Sequence, residues 1–237
     1  MKRIGIITAL QPEAACLTTV APVPETITAL DDHTALLVCG MGAERAKRAA
    51  LQMVDAGMEI LISWGTAGAL ADDIQPGDLI VPETIVSHTG HVYQTAKYLR
   101  SSMLDKLIDC PGDIFLGQLA DSIYVLTSVA DKAATRAQGD ALAVDMESAA
   151  IAEVAAKHEI QYVAIRAISD SAVMRLPDDV INFTNAYGQV QFTKLISSLL
   201  KRPGQIFDLF KLARGFMAAK KTLKWIGQRQ AEILHHH

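Results

Sequence analysis

The sequence predicts an α/β fold, a single domain built on a twisted, mixed but mainly parallel central sheet flanked by helices, with a C-terminal helical extension. Three observations predict it. Short β-rich apolar runs alternate with longer stretches of helical composition. One of them, Gln161–Ile168 (QYVAIRAI), is almost continuously apolar, as expected for a strand covered on both faces. Of the 237 residues, 50% are hydrophobic and 20% charged, which suffices for a sizeable core.

The elements follow in order along the chain. Arg3–Thr8 (RIGIIT) reads as a strand, and a helix opens near Pro12 and Glu13. Thr34–Cys39 is a second strand, closed by Gly40, Met41 and Gly42. Ala43–Ala56 has helical composition and stops at Gly57. Glu59–Ser63 is a third strand, running into Trp64-Gly65-Thr66-Ala67-Gly68. Asp78–Val81 and Ser122–Thr127 are further strands, and the Ala-rich Met146–Lys157 is a helix leading into Gln161–Ile168. The sheet is expected to be partly barrel-like. Pro203-Gly204 punctuates the chain, dividing a domain over 1–200 from an extension over 201–234; His235 to His237 read as a tag remnant.

Composition narrows the class of protein. No run approaches the roughly 18 apolar residues of a membrane span, and the apolar start is too short for a signal peptide. Cys16, Cys39 and Cys110 have no metal-like spacing, so reduced thiols, a cytoplasmic setting and no metal are expected. Net charge is −4, yet from Lys201 to Leu234 eight Lys and Arg stand against Asp208 and Glu232. An acidic body with a basic tail is not expected to bind nucleic acid. In that tail Ile206, Leu209, Phe210, Ala213, Phe216 and Met217 recur at helical spacing among Lys211, Arg214, Lys220 and Lys221. Such a helix either lies on an anionic membrane surface or packs on its own domain or a partner subunit.

In parallel α/β sheets, ligands bind beyond the carboxyl ends of strands, where several polar segments fall here. Asp170 follows Ser169 where an apolar strand runs out. It is either a desolvated carboxyl suited to donate a proton or a helix N-cap. Glu147 stands near a helix start, as a dipole-stabilised carboxylate or as an acceptor for a vicinal diol. Glu13 either orients and deprotonates a water or is a helix-start acid. The glycine turns at 40–42 and 65–68 could cradle an anion or simply turn the chain. No Walker A, dinucleotide GxGxxG, HExxH or GxSxG sequence is present.

Taken together, RIGIITALQPEA (3–14), CGMG (39–42), SWGTAGAL (63–70), PGDLIVPE (76–83), AVDMESAAIAEVA (143–155) and VAIRAISDSA (163–172) resemble the nucleoside phosphorylase superfamily. The resemblance is to its methylthioadenosine/S-adenosylhomocysteine nucleosidase-like branch. It implies cleavage of the N-glycosidic bond of a purine nucleoside, adenine being the expected base. Asp170 would protonate N7 of the base. Glu147 and Met146 would hold the ribose, and Glu13 would position the attacking water. Ala67 and Gly68 would approach through their backbone, Arg166 would support the Asp170 loop, Val129 and Ala130 would line the base, and Thr66 and Ser169 are further substrate-binding candidates. Glu13, and Trp64 where many phosphorylases carry an arginine, imply hydrolysis; Gly42, Arg45 and Thr66 are candidates for phosphate in a phosphorolytic alternative. RPGQIFDLFKLAR (202–214) resembles hopanoid-associated phosphorylases, which implies a lipid-linked nucleoside such as adenosylhopane and a peripheral membrane contact. No cofactor is implied, a homo-oligomer is, and a non-catalytic nucleoside-binding protein on the same fold is the competing class.

Overall fold

The computed structural model describes residues 2–177, 185–188 and 206–234. Strands β1 (Ile4–Thr8), β2 (Thr28–Ala29), β3 (Thr34–Val38) and β4 (Ile60–Ala69) enclose helices α1 (Gln11–Ala14) and α2 (Ala43–Asp55) in sequence. Then come β5 (Leu79–Ile80), β6 (Thr84–Val86), β7 (Val92–Gln94), α3 (Lys97–Asp105), β8 (Ile114–Phe115) and β9 (Gln118–Asp121). After α4 (Val129–Gly139) follow β10 (Ala143–Asp145), α5 (Ser148–Lys157) and β11 (Gln161–Asp170). Helices α6 (Ile206–Gly227) and α7 (Gln230–Leu234) close the described chain.

The strands form one 11-stranded mixed sheet among the described residues, with β4 at its hub. On one edge β4 pairs in parallel with β11 from Ile60 to Gly68. On the other it pairs with β1 only from Ile60 to Trp64, and antiparallel with β10 at Gly68 and Ala69. The neighbour therefore changes partway along a single strand, and among the described residues Gly65, Thr66 and Ala67 face no strand on that edge. Both faces of the sheet are covered, which is why its strands read as continuous apolar runs. One core packs Ala46, Ala50 and Met53 of α2 with Ile151 and Val154 of α5. The other packs Leu99 and Met103 of α3 with Ala219, Leu223 and Ile226 of α6.

Several boundaries differ from the sequence reading. The glycine-rich stretch after Ser63 is the second half of β4, not a loop. The strand expected at Ser122–Thr127 is absent: β9 lies at Gln118–Asp121, where β6 and β10 flank it. Past Asp121 no strand among the described residues pairs with the chain, and the Ser122 hydroxyl turns it by donating to the Tyr124 carbonyl at 2.7 Å. Helix α5 starts at Ser148 because Asp145, not Glu147, receives the Ser148 amide at 3.3 Å. Asp170 is no helix cap; it ends β11.

Helix α6 is half sheet cover, half surface. Ala219, Thr222, Leu223 and Ile226 are buried, while Phe207, Phe210 and Met217 are exposed. The stripe expected to be apolar is thus split, and most of the buried face lies one to two turns further on. No described helix is long and apolar enough to cross a membrane.

Close approach of α6 depends on Gly215, where a Cβ would collide with the Ser169 carbonyl oxygen. Alanine would gain about 1 kcal/mol in helix propensity, but a backbone collision that shifts a packed helix costs about 1–3 kcal/mol. The collision wins, so Gly215→Ala should lower stability in urea unfolding; a stabilised variant would contradict this packing.

Candidate active site

A cavity of about 260 Å³ opens where β1 leaves β4. Its wall includes Glu13 of α1, Thr66, Ala67 and Gly68 of β4, Met146 and Glu147 after β10, and Ser169 and Asp170 of β11. Leu212 and Phe216 of α6 complete it. Asp145 lines it as well, so four carboxylates from three distant parts of the sequence meet on one largely apolar cavity.

Glu13 fills the gap in the sheet edge. Its Oε1 accepts the Thr66 amide and the Thr66 hydroxyl, both at 2.8 Å. Its Oε2 accepts the Thr8 hydroxyl at 2.7 Å and the Leu10 amide at 3.1 Å. Buried at 3% exposure, the carboxylate replaces the strand that would have paired with Thr66. Gly65 is required beside it, since a Cβ there would lie 2.9 Å from the carboxylate.

Asp170 is aimed by a bulge. Register slips between Ile168 and Asp170, so that Ile168 stands opposite Ala67 and Asp170 opposite Gly68. Bulges of this kind redirect side chains next to sites. A Cβ on Gly68 would come within 3.0 Å of Asp170 Oδ2, so the second glycine of the 65–68 stretch seats the second carboxylate. Oδ1 accepts the Ser169 hydroxyl at 2.7 Å, and Oδ2 the Lys132 ammonium at 2.5 Å.

Glu147 Oε1 accepts the Gly42 amide at 2.8 Å. Burial, and then the nearby Asp145 carboxylate, push its pKa up to about 8, against the Gly42 bond and the Arg166 charge.

Other expected site residues stand elsewhere. Arg166 does not support the Asp170 loop: it donates to Asp145 at 2.6 Å and to the hydroxyls of Ser63 and Ser148 at 2.6 and 3.1 Å. Val129 and Ala130 are exposed and do not line the cavity, because α4 begins there and leads away. The preceding Tyr124, Val125 and Leu126 line it instead. Arg45 pairs with Glu25 at 3.0 Å and lies 5.7 Å from the Tyr187 ring centroid, away from the cavity wall. Sequence reasoning missed Lys132, Leu212 and Phe216; a lysine amid VADKAATR carries no local signal of burial.

A model of the phosphorylase superfamily matches residues 3–104 and 119–201. A 5′-methylthioadenosine/S-adenosylhomocysteine nucleosidase (MTAN) of Listeria monocytogenes is 28% identical over 201 residues, covering 71% of this chain and 86% of the relative. A DeoD-type purine nucleoside phosphorylase of Streptococcus gordonii is 28% identical over 131 residues, 51% of this chain and 55% of the relative. Among solved structures, a Helicobacter pylori MTAN mutant with 5′-methylthioadenosine in its active site superposes with TM-score 0.71 at 18% identity, covering 98% of this chain and 99% of that one.

The raised Glu147 pKa fixes the sign of a pH effect. Protonation is favoured in the folded chain over the unfolded one, whose value is near 4.5. The resulting stability is present at low pH and is lost as pH rises from there towards about 8. Urea unfolding of the ligand-free protein should show stability falling across this window, by at most about 1.4 kcal/mol per pH unit. Glu147→Gln, a mimic of the protonated form, should flatten that slope; an unchanged slope would remove Glu147 as its source.

Proposed function

The chain belongs to the phosphorylase superfamily, and on that premise we propose that it releases adenine from a nucleoside by hydrolysing the N-glycosidic bond. The observation that carries this reading is the meeting of Glu13, Glu147 and Asp170 on one cavity. Asp170 acts as general acid at N7, so the purine departs neutral. Glu147 and Met146 hold the ribose, and Glu147 in its ionised form, gained as pH rises towards about 8, favours the oxocarbenium-like transition state. Glu13 orients and deprotonates the water, and the backbone of Ala67 and Gly68 borders base and sugar. The MTAN relatives and the Helicobacter pylori futalosine hydrolase structure, TM-score 0.69 at 17% identity, are named for hydrolytic chemistry, which agrees with this choice.

Water is favoured over phosphate by where the candidate phosphate donors already point. The Gly42 amide is bound to Glu147, Thr66 gives both its donors to Glu13, and Arg45 pairs with Glu25. A phosphate reaching these donors would have to displace the carboxyl groups of Glu147, Glu13 and Glu25. Like charges about 4 Å apart repel by about 4 kcal/mol at the effective dielectric of a protein site.

The group beyond the ribose is read from α6. Leu212 and Phe216 border the cavity, while Phe207, Phe210 and Met217 form an exposed apolar surface on the other side of the same helix, with Lys211 and Arg214 exposed beside them. An apolar cavity wall backed by a basic, partly apolar outer face supports a nucleoside carrying an apolar chain, such as adenosylhopane, met at an anionic membrane surface by the 201–234 extension. A cytoplasmic homo-oligomer belongs to the same reading.

Adenine release should be measured with methylthioadenosine, adenosine and adenosylhopane, with and without phosphate. Release independent of phosphate, giving free sugar, is expected; failure to turn over any of the three would sink the proposal, and a sugar 1-phosphate product would replace hydrolysis by phosphorolysis. Asp170→Asn should lower kcat by about 10²–10⁴-fold. Unimpaired binding without release by the unaltered chain would identify a nucleoside-binding protein instead.

Preference for adenosylhopane should depend on the exposed face of α6. Phe210→Glu should weaken flotation with anionic vesicles and reduce adenosylhopane turnover, while methylthioadenosine turnover stays within about twofold. Equal effects on both substrates would refute a lipid-directed role for this helix.

A further inference from the structure

Lys132 is 1% exposed, in the first turn of a helix with no other buried residue. Its ammonium donates to Asp170 Oδ2 at 2.5 Å, the Ser171 carbonyl at 2.8 Å and the Met174 carbonyl at 3.2 Å. Three acceptors for three protons describe a fully satisfied cation. An apolar side chain would anchor α4 at less cost, since each buried ion forfeits several kcal/mol of hydration before pairing returns it. All three acceptors lie within the short stretch from Asp170 to Met174, so this one side chain ties the end of β11 and the turn after it.

The pairing raises a chemical question about the proposed acid. Lys132 Nζ is the donor to Oδ2, so the proton between them sits on nitrogen and that oxygen has none of its own to give. The pair as a whole still holds one. We propose that Lys132 is a positioning residue for Asp170, holding its carboxylate ionised and in place and supplying through it the proton that the departing purine takes up at N7. This inference rests on the adenine-release reading above.

The step balances. As the bond from C1′ breaks, its electron pair passes into the purine and N7 becomes basic. N7 takes the proton from Asp170 while a Lys132 N–H proton moves to Asp170, leaving a neutral amine and a neutral base. Water bonds to C1′ and gives its proton to Glu13. Solvent then returns one proton to Lys132 and removes one from Glu13, so the net reaction consumes one water. Among the described residues, the other titratable groups on the cavity are Glu13 from α1, Asp145 from β10, Glu147 after it and Tyr124 from the 122–128 segment; Arg166 is tied to Asp145. The α6 face turned to the cavity, Leu212 and Phe216, is apolar.

The test compares kcat/KM from pH 5 to 10 for the unaltered chain, Lys132→Met and Lys132→Arg. In Lys132→Met the proton rests on a lone carboxyl, so the alkaline limb should move down by more than about one pH unit while kcat falls about 10²-fold or more. Lys132→Arg keeps the charge but cannot release a proton, so kcat should stay low. An alkaline limb left in place in Lys132→Met, or full kcat in Lys132→Arg, would overturn the proposal. Should the methionine variant not fold, the unaltered chain still decides through 9-deazaadenosine, whose N7 carries hydrogen and whose C–C bond is not cleaved. An ionised Asp170 accepts that hydrogen, so calorimetry in buffers of different ionisation enthalpy should find no more proton release on binding than with 7-deazaadenosine, which has no N7 hydrogen and whose ribose meets Glu147 alike. An extra proton released with 9-deazaadenosine would mean Asp170 was protonated at rest and would refute the inference. No adenine release from the unaltered chain would instead defeat the base-release reading, and this inference with it.

Discussion

Beyond Trp64, β4 loses its neighbour on one edge, because β1 ends at Thr8 while β10 joins only at Gly68. A buried strand cannot leave an amide unpaired without a cost of about 1–3 kcal/mol. Here the amide of Thr66 is satisfied by the Glu13 carboxylate, brought back by the short helix α1. That bond does two things at once. It closes the sheet where two strands hand over, and it fixes a carboxylate at the mouth of a cavity that exists only because the strands part. The other site groups are arranged around the same opening: the bulge that aims Asp170 lies opposite Ala67 and Gly68 on the second edge of β4.

The site is electrostatically costly, and its parts share that cost. Glu13, Asp145, Glu147 and Asp170 are all buried, against the buried cations Lys132 and Arg166. Arg166 pairs with Asp145, and Lys132 with Asp170. Glu13 is spread over four donors. Glu147 has one amide and a pKa raised to about 8, so near neutrality it is the group that takes a proton to relieve the excess. Folding tolerates such groups because apolar packing on both faces of the sheet outweighs them.

Helix α6 links stability to the cavity. Its later turns bury Ala219, Leu223 and Ile226 in the second core, while its earlier turns bring Leu212 and Phe216 to the cavity wall. Gly215 stands between the two roles and lets the helix touch the backbone at Ser169, one residue before Asp170. A change in how α6 seats is therefore felt at the proposed acid within one peptide unit.

The sequence by itself determined the parallel α/β class and the strands at 3–8, 34–39 and 161–168, because covered strands must be apolar throughout. It singled out Glu13, Glu147 and Asp170 only as candidates, each with a capping or helix-start alternative that the resemblance, and not the local pattern, weighed against. Only the tertiary structure decided the rest. That β4 runs on through its glycines depends on β11 pairing with it and on carboxylates needing the space a Cβ would fill. The misread strand at Ser122–Thr127 has strand composition but no neighbour to bond. Arg166 could be assigned to Asp145, and Lys132 to Asp170, only once β10, α4 and β11 had been brought together, since a salt bridge between residues 38 positions apart leaves no periodicity in the chain.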